Sequence, residues 1–195
     1  TDRWPETLTA EGCLDPAERR NLLLQRQIEA WEAAPTDRRI IAAGSTGSIP
    51  AVAELLCCVA GLPNGTVVLP AFDTLMDDDA ATAALDDQTH PQFGMLRLLK
   101  RMEISRHEIR DWPLEDHAEI QIKRIGLRRR LMSQVMRPAV TTDTWRELPK
   151  ISENALAGFE RFDCAGEAEE AKVIALALRE SLQEETQTAA LVTPD

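Results

Sequence analysis

The chain has 195 residues, a formal charge of −11 at pH 7, 44% hydrophobic residues, few aromatics and no tyrosine. That length suits one generous domain or two small ones around a real core, and the Ala-, Leu- and acid-rich composition favours helices. The acidic balance excludes a general nucleic-acid coat, whose footprint is a basic surface, but leaves room for a local basic patch.

Asp15-Pro16 reads as a helix cap followed by proline at the first helical position. Leu22, Leu23, Leu24, Ile28 and Trp31 then form a stripe, so a helix is predicted over 15–34, ending before Pro35. A strand follows at 38–43 and breaks at Gly44-Ser45-Thr46-Gly47-Ser48. Pro50 opens a helix over 50–60 that ends at Gly61, Pro63-Asn64-Gly65 makes a turn, and a second strand occupies 66–69 before Pro70. Strand, helix, strand at this spacing implies parallel pairing and a right-handed crossover. The carboxyl ends of both strands then share one edge, with Gly44–Ser48 beside Ala71-Phe72-Asp73-Thr74, the usual place for a ligand in an open α/β sheet.

The glycine turn presents backbone N–H groups at a helix N-terminus, where a phosphate can sit. It is not a Walker A loop, because no Lys follows Gly47, nor a G-x-G-x-x-G loop, because its glycines are three apart. The candidate phosphate- or DNA-contacting residues are Gly44, Ser45, Thr46, Gly47, Ser48, Asp73, Thr74 and His90. The competing account of the turn is a tight βα connection that simply requires small residues.

Asp77-Asp78-Asp79 reads as favourable charge at the start of a helix over 78–85; three consecutive carboxylates do not converge on one ion. His90-Pro91-Gln92 leads a helix over 93–102 with Met95, Leu96, Leu98 and Leu99 inward, and His90 either caps or packs there or meets a phosphate. His107 and His117 lack partners at ligand spacing and read as surface residues. Residues 105–111 read as a short strand or edge segment ended by Trp112-Pro113. A helix over 115–136 carries Lys123, Arg124, Arg128, Arg129 and Arg130, with Arg137 just beyond. This one basic concentration meets phosphates, meets an acidic partner, or is a solvated face. No aromatics interleave, so stacking on single strands is unsupported. Residues 138–148 read as a loop in which Thr141-Thr142-Asp143 cap a short turn at Thr144-Trp145, 151–162 as a helix, and the acidic stretch from Asp163 opens a helix with Val173, Ile174, Ala177, Leu178 and Leu182 on one face. A final strand at 188–193 makes a further parallel α/β unit, so the fold class is α/β and helix-rich.

Cys13, Cys57, Cys58 and Cys164 show no C-x-x-C spacing and read as buried free thiols of a reducing, cytoplasmic compartment. No signal peptide opens the chain and no apolar run reaches transmembrane length. The chain begins with Thr1 and stops right after a strand-like stretch, as expected of a piece of something larger.

Ile41–Ala51, Gly65–Asp73, His90-Pro91-Gln92, Arg137-Pro138-Ala139 with Thr142 and Trp145, and the stretch from Glu169 to Asp195 together resemble the AddB subunits of AddAB-type helicase–nucleases, in their alphaproteobacterial form. The matches run in order over essentially the whole chain. The resemblance implies an internal piece of a helicase-like, RecA-like region. Residues 1–62 would be the end of a first RecA-like domain, or a helical lead-in plus a βα unit. Residues 63–195 would be a second RecA-like segment with a helical insertion at about 80–160. It further implies DNA and an AddA-type helicase–nuclease subunit as partners, in resection of double-strand ends for recombination. ATP, Mg²⁺ and an iron–sulphur cluster belong to the parent complex, and no cofactor or metal is expected in this piece. Where such helicases carry Gln and Arg near the junction loop, this chain has Ser45, Thr46 and Ser48. It also lacks a Walker A loop and an Asp-Glu-x-x motif, and Cys57 and Cys58 are not cluster ligands, so the piece is expected to be catalytically silent.

Two other classes stay open: a small nucleotide- or phosphate-binding protein using the Gly44–Ser48 turn, and a purely structural partner-docking domain.

Overall fold

In the computed structural model, which describes residues 3–113, 119–183 and 186–193, the chain divides into two compact units, Thr1–Ala155 and Leu156–Asp195. The first unit opens with α1 (Arg3–Ala10), for which the sequence carries no clear signal, and α2 (Pro16–Ala33). Asp15 starts α2 as expected: its Oδ1 accepts from the Ala17 amide at 2.8 Å, and its Oδ2 accepts from Trp4 Nε1 at 3.2 Å, which ties the two helices.

Strand β1 (Ile40–Ala43), helix α3 (Pro50–Gly61) and strand β2 (Gly65–Val68) form the expected unit. The strands pair in parallel, Ile40 opposite Gly65 and Ala43 opposite Val68, and the Gly44 amide extends the ladder to the Val68 carbonyl. Among the described residues these two strands are the whole sheet. Gly65 is required by packing: a Cβ there would lie 1.8 Å from the Val59 carbonyl oxygen, because the last turn of α3 backs directly onto the start of β2.

Helix α4 (Asp78–Asp86) and helix α5 (Phe93–Arg101) follow close to their predicted bounds. α5 organises the core. Its Leu96 packs with Met76, Ala80, Ala81 and Ala84, whereas its Leu98 packs with Ala53 and Leu56 beneath the sheet residues Ala42 and Val67. Burial of these apolar groups is the main stabilising term.

The 105–111 stretch is not a strand. Ser105 and Glu108 form a reciprocal capping box that winds Arg106–Glu108 into a 3₁₀ turn. Helix α6 (Glu119–Val135) carries the basic run; the predicted start at 115–118, and His117, lie outside the described residues. Ala139–Glu147, expected as a loop with one short turn at Thr144-Trp145, is a run of 3₁₀ turns over its whole length. The helix expected over 151–162 reduces to a 3₁₀ turn at Glu153–Ala155, for Gly158 adopts φ +84° and interrupts helical geometry.

The second unit holds α7 (Glu167–Ser181), none of whose residues is fully buried. The strand expected at 188–193 is not formed. A strand needs a hydrogen-bonded neighbour, and this unit contains no other strand among its described residues. The fold is therefore a helix-rich α/β arrangement with a small parallel sheet.

Candidate functional site

The Gly44–Ser48 turn leaves β1 with both glycines in the left-handed region, Gly44 at φ +81° and Gly47 at φ +68°. A Cβ on Gly44 would meet nothing, whereas one on Gly47 would sit 3.0 Å from the Leu98 side chain. The Ser45 hydroxyl accepts from the Gly47 amide at 3.3 Å, closing the turn internally. Ile49 stands at the N-cap of α3 and supplies no side-chain acceptor, so the first amides of α3 are left without a side-chain cap.

Beside this helix end lies a cleft of about 200 Å³ lined by Gly47, Ser48, Pro50, Gly94, Arg97 and Arg101. Arg97 and Arg101 are one helical turn apart on α5 and so share a face. Arg97 is exposed and belongs to no ion pair among the described residues; Arg101 meets Glu54 of α3 at 3.0 Å, with both side chains about half exposed. A serine and two guanidinium groups thus face one concave space beside the start of α3, whose first residue, Pro50, carries no N–H. The sequence reading misses both arginines; the signal that exposes them is their four-residue spacing on the polar side of the Met95/Leu96/Leu98/Leu99 stripe.

The second loop, 71–74, is braced by the same helix. Gln92, at the N-cap of α5, accepts from the Asp73 amide at 3.1 Å and donates to the Ala71 carbonyl at 3.0 Å. Gly94 lies against the first loop, where a Cβ would stand 3.7 Å from the Thr46 carbonyl oxygen. Both predicted loops are therefore set by the N-terminus of α5. Asp73 spends its Oδ1 on the Leu75 amide at 3.0 Å. Thr74 accepts from Arg129 at 2.7 Å.

His90 does not face the cleft side chains as a free ring. It is 8% exposed; Nε2 donates to the Met136 carbonyl at 2.8 Å and Nδ1 accepts from the Gln92 amide at 3.2 Å. A carbonyl only accepts and an amide N–H only donates, so both ring positions are assigned. The ring pins the start of α5 to the end of α6.

The basic run separates by role. Lys123 and Arg124 are exposed, as is Arg130, whereas Arg128 is half-buried. Arg129 grips Asp111 through two 2.9 Å hydrogen bonds, beside a cleft of about 690 Å³ running along β2. That pairing holds the Asp111 carboxyl below its ordinary range, and hydrogen bonding to Asp111 raises Arg129 in turn. Arg137 is buried against Asp77 and Thr141. The run is thus not one continuous patch: two of its members are structural fasteners.

Asp77, Asp78 and Asp79 diverge, as their spacing requires. Asp77 caps α4 by accepting from the Ala80 amide at 2.9 Å, and Asp78 is bound by Arg106 and by His107 at 3.3 Å. Among the described residues no group of three or more His, Cys, Asp or Glu side chains is placed to hold a metal ion. The four cysteines are free; Cys13 is exposed and the other three are half-buried, so the expectation of buried thiols is corrected. Partial burial pushes the Cys57 and Cys58 thiols up, away from the reactive thiolate. Among the described residues no helix is long and apolar enough to cross a membrane. Comparison of the chain with family models, with curated proteins and with solved structures finds no match.

Proposed function

We propose that this chain is a non-catalytic, RecA-like scaffold segment of an AddB-type DNA-repair subunit, carrying one stretch of the DNA backbone path and contacting an AddA-type helicase–nuclease partner. The resemblance in sequence motivates the assignment. The observation that carries the DNA path is the cleft where Ser48, just before α3, faces Arg97 and Arg101. Serine hydroxyl and guanidinium groups are two of the common protein donors to phosphate. The cleft's volume of about 200 Å³ is below the ~300–1,000 Å³ of sites that enclose a small molecule, which favours a phosphate of a continuous backbone over an enclosed nucleotide.

On this reading the contact is sequence-independent: it positions a strand and leaves base identity unread. No nucleophile–base pair or metal cluster is needed, and the chemistry of the parent complex lies in other parts of it. Lys123 and Arg124, exposed on α6, provide a second contact, to DNA or to the partner subunit.

The test is fluorescence anisotropy of labelled single- and double-stranded DNA with the chain at two salt concentrations. Salt-sensitive binding that falls on Arg97→Glu supports the reading. No binding at low salt assigns the segment to scaffolding alone, and a thermal shift with ATP or GTP but not with DNA favours a nucleotide-binding protein.

A further inference from the structure

We propose that the outer edge of β2 is a strand-addition site, where an extended acidic segment of a partner protein pairs its main chain with Gly65–Leu69. β1 holds one edge of β2, and among the described residues no strand holds the other. The ladder fixes which groups are left over. The Asn64 carbonyl accepts from the Ile40 amide and the Val68 carbonyl from the Gly44 amide, so the carbonyls of residues 64, 66 and 68 turn towards β1. No peptide bond is cis, and a trans peptide sends the following N–H the opposite way. The amides of Val67 and Leu69 and the carbonyls of Gly65 and Val67 therefore point away from β1. None of these groups has a hydrogen-bond partner among the described residues, whereas the Gly65 amide is returned to the Leu62 carbonyl.

The cleft of about 690 Å³ follows that edge. Every residue from Gly65 to Leu69 lines it, from both faces of the pleat, and no residue of β1 does, so it flanks the strand and does not cover a sheet face. Residues 108–113 form the opposite wall. Arg129 closes one end by holding both Thr74 and Asp111.

Alternating outward donors and acceptors are a template for another extended chain. A DNA backbone offers acceptors only and leaves the two carbonyls unmet. An apolar small molecule meets none of these groups, and a helix spends its own main chain internally. In a second copy the same edge stands behind the same wall, so two β2 edges do not meet. Charge settles the composition. Glu108 is spent on the Ser105 amide and Asp111 on Arg129, whereas Arg110 lines the cleft exposed and in no ion pair among the described residues. The entering strand therefore carries Asp or Glu towards Arg110, alternating with aliphatic residues for Phe72, Met102 and Ile109.

The test uses a fluorescein-labelled Glu-Val-Glu-Val-Glu-Val peptide, titrated with the chain by anisotropy. Two further forms are N-methylated, one at every Val and one at every Glu, which keeps the side chains and removes alternate donors. Saturable binding is expected, weakened at least tenfold in one methylated form and retained in the other. Amide hydrogen exchange at Val67 and Leu69 should slow on binding. Arg110→Glu, at an exposed side chain, should weaken the peptide at least threefold. Equal affinity of all three peptides, or unchanged exchange at Val67, overturns the proposal. Displacement by an unlabelled oligonucleotide overturns it in favour of a nucleic-acid contact, and a doubled mass with Val67 already protected in the free chain overturns it in favour of a second copy.

Discussion

Arg137 Nη1 lies 2.6 Å from Asp77 Oδ2, the arginine side chain 4% exposed and the aspartate 49%. The same guanidinium donates through Nε to the Thr141 carbonyl at 2.8 Å. Asp77 is also the N-cap of α4. One ion pair therefore fastens the start of α4 to the 3₁₀ run that follows α6, joining segments 60 residues apart in sequence. A nearly buried arginine is favourable only where its charge is met, and Asp77 meets it while keeping one face in water.

Replacing Arg137 with Met is expected to lower stability by about 2–3 kcal/mol, below the ~3–5 of a fully buried pair because Asp77 is half exposed. The Arg137 hydrogen bond, first among the causes, holds the Asp77 carboxyl below its ordinary 3.8. A depressed carboxyl contributes stability above its unfolded value and loses it as pH falls through the folded value. The difference between wild type and Arg137→Met should therefore be constant from neutral pH down to about 5 and shrink below 3.8. Urea midpoints at pH 7, 5 and 3 check it; an undiminished difference at pH 3 would show that packing, not the ion pair, is lost.

Three glycine-to-alanine changes should rank in a fixed order. At Gly44 only the left-handed backbone resists a side chain, an effect of about 1–2 kcal/mol. At Gly47 the same strain adds to a Cβ 3.0 Å from Leu98, whose flexible end can yield, so the loss is larger by about 1 kcal/mol. At Gly65 the Cβ would overlap the Val59 carbonyl, a backbone atom that cannot yield, and a loss above about 4 kcal/mol or failure to fold is expected. Denaturation midpoints test the order. In addition, Leu98→Ala should reduce the effect of Gly47→Ala, since the two share one contact.

The βαβ unit is legible in the sequence because local signals agree with the tertiary outcome: Pro50, Gly61, Asn64 and Gly65 all punctuate where the chain turns. The amphipathic α5 is legible for the same reason, Met95, Leu96, Leu98 and Leu99 all being buried. The 188–193 strand fails because composition records only the propensity of Ala-Leu-Val-Thr for extended backbone, and pairing is a long-range property. At Ser105–Glu108 a readable capping-box spacing outweighs the extended propensity of the segment around it. At the candidate site the turn is visible as glycines, but the α5 arginines opposite it are not. Their approach depends on Gly94 and Leu98 meeting residues 46 and 47 across half the first unit's fold. Nor does sequence distinguish Arg129 and Arg137, held by carboxylates from other elements, from Lys123 on the solvent side.

Arg129→Lys should act on stability and not on DNA. The planar guanidinium serves Asp111 with two parallel hydrogen bonds and Thr74 with a third, a geometry an ammonium cannot reproduce. With both partners partly exposed, the expected loss is about 1 kcal/mol. DNA affinity should be unchanged, because the charge is preserved and Arg129 is occupied within the fold. Anisotropy and urea titration of the same preparation check both halves; a large drop in DNA affinity would return Arg129 to the phosphate contacts.

The cleft itself makes a quantitative claim about salt. Each phosphate neutralised on duplex DNA releases condensed counterions and contributes about 0.9 to the slope of log affinity against log salt, or about 0.7 on a single strand. If Arg97 contacts one phosphate, Arg97→Gln should lower that slope by about one such unit and weaken binding equally for all sequences. Arg101→Gln should do less, since Arg101 already shares its charge with Glu54 across the α3–α5 gap. Glu54→Gln frees Arg101 and should move affinity the other way, upward, a gain that nonspecific unfolding cannot produce. Measured together, loss at Arg97, smaller loss at Arg101 and gain at Glu54 would locate the phosphate between α5 and the start of α3. Equal losses at Arg97 and Arg101 with a gain of the same size at Glu54 would track only net charge and remove the cleft from the DNA path.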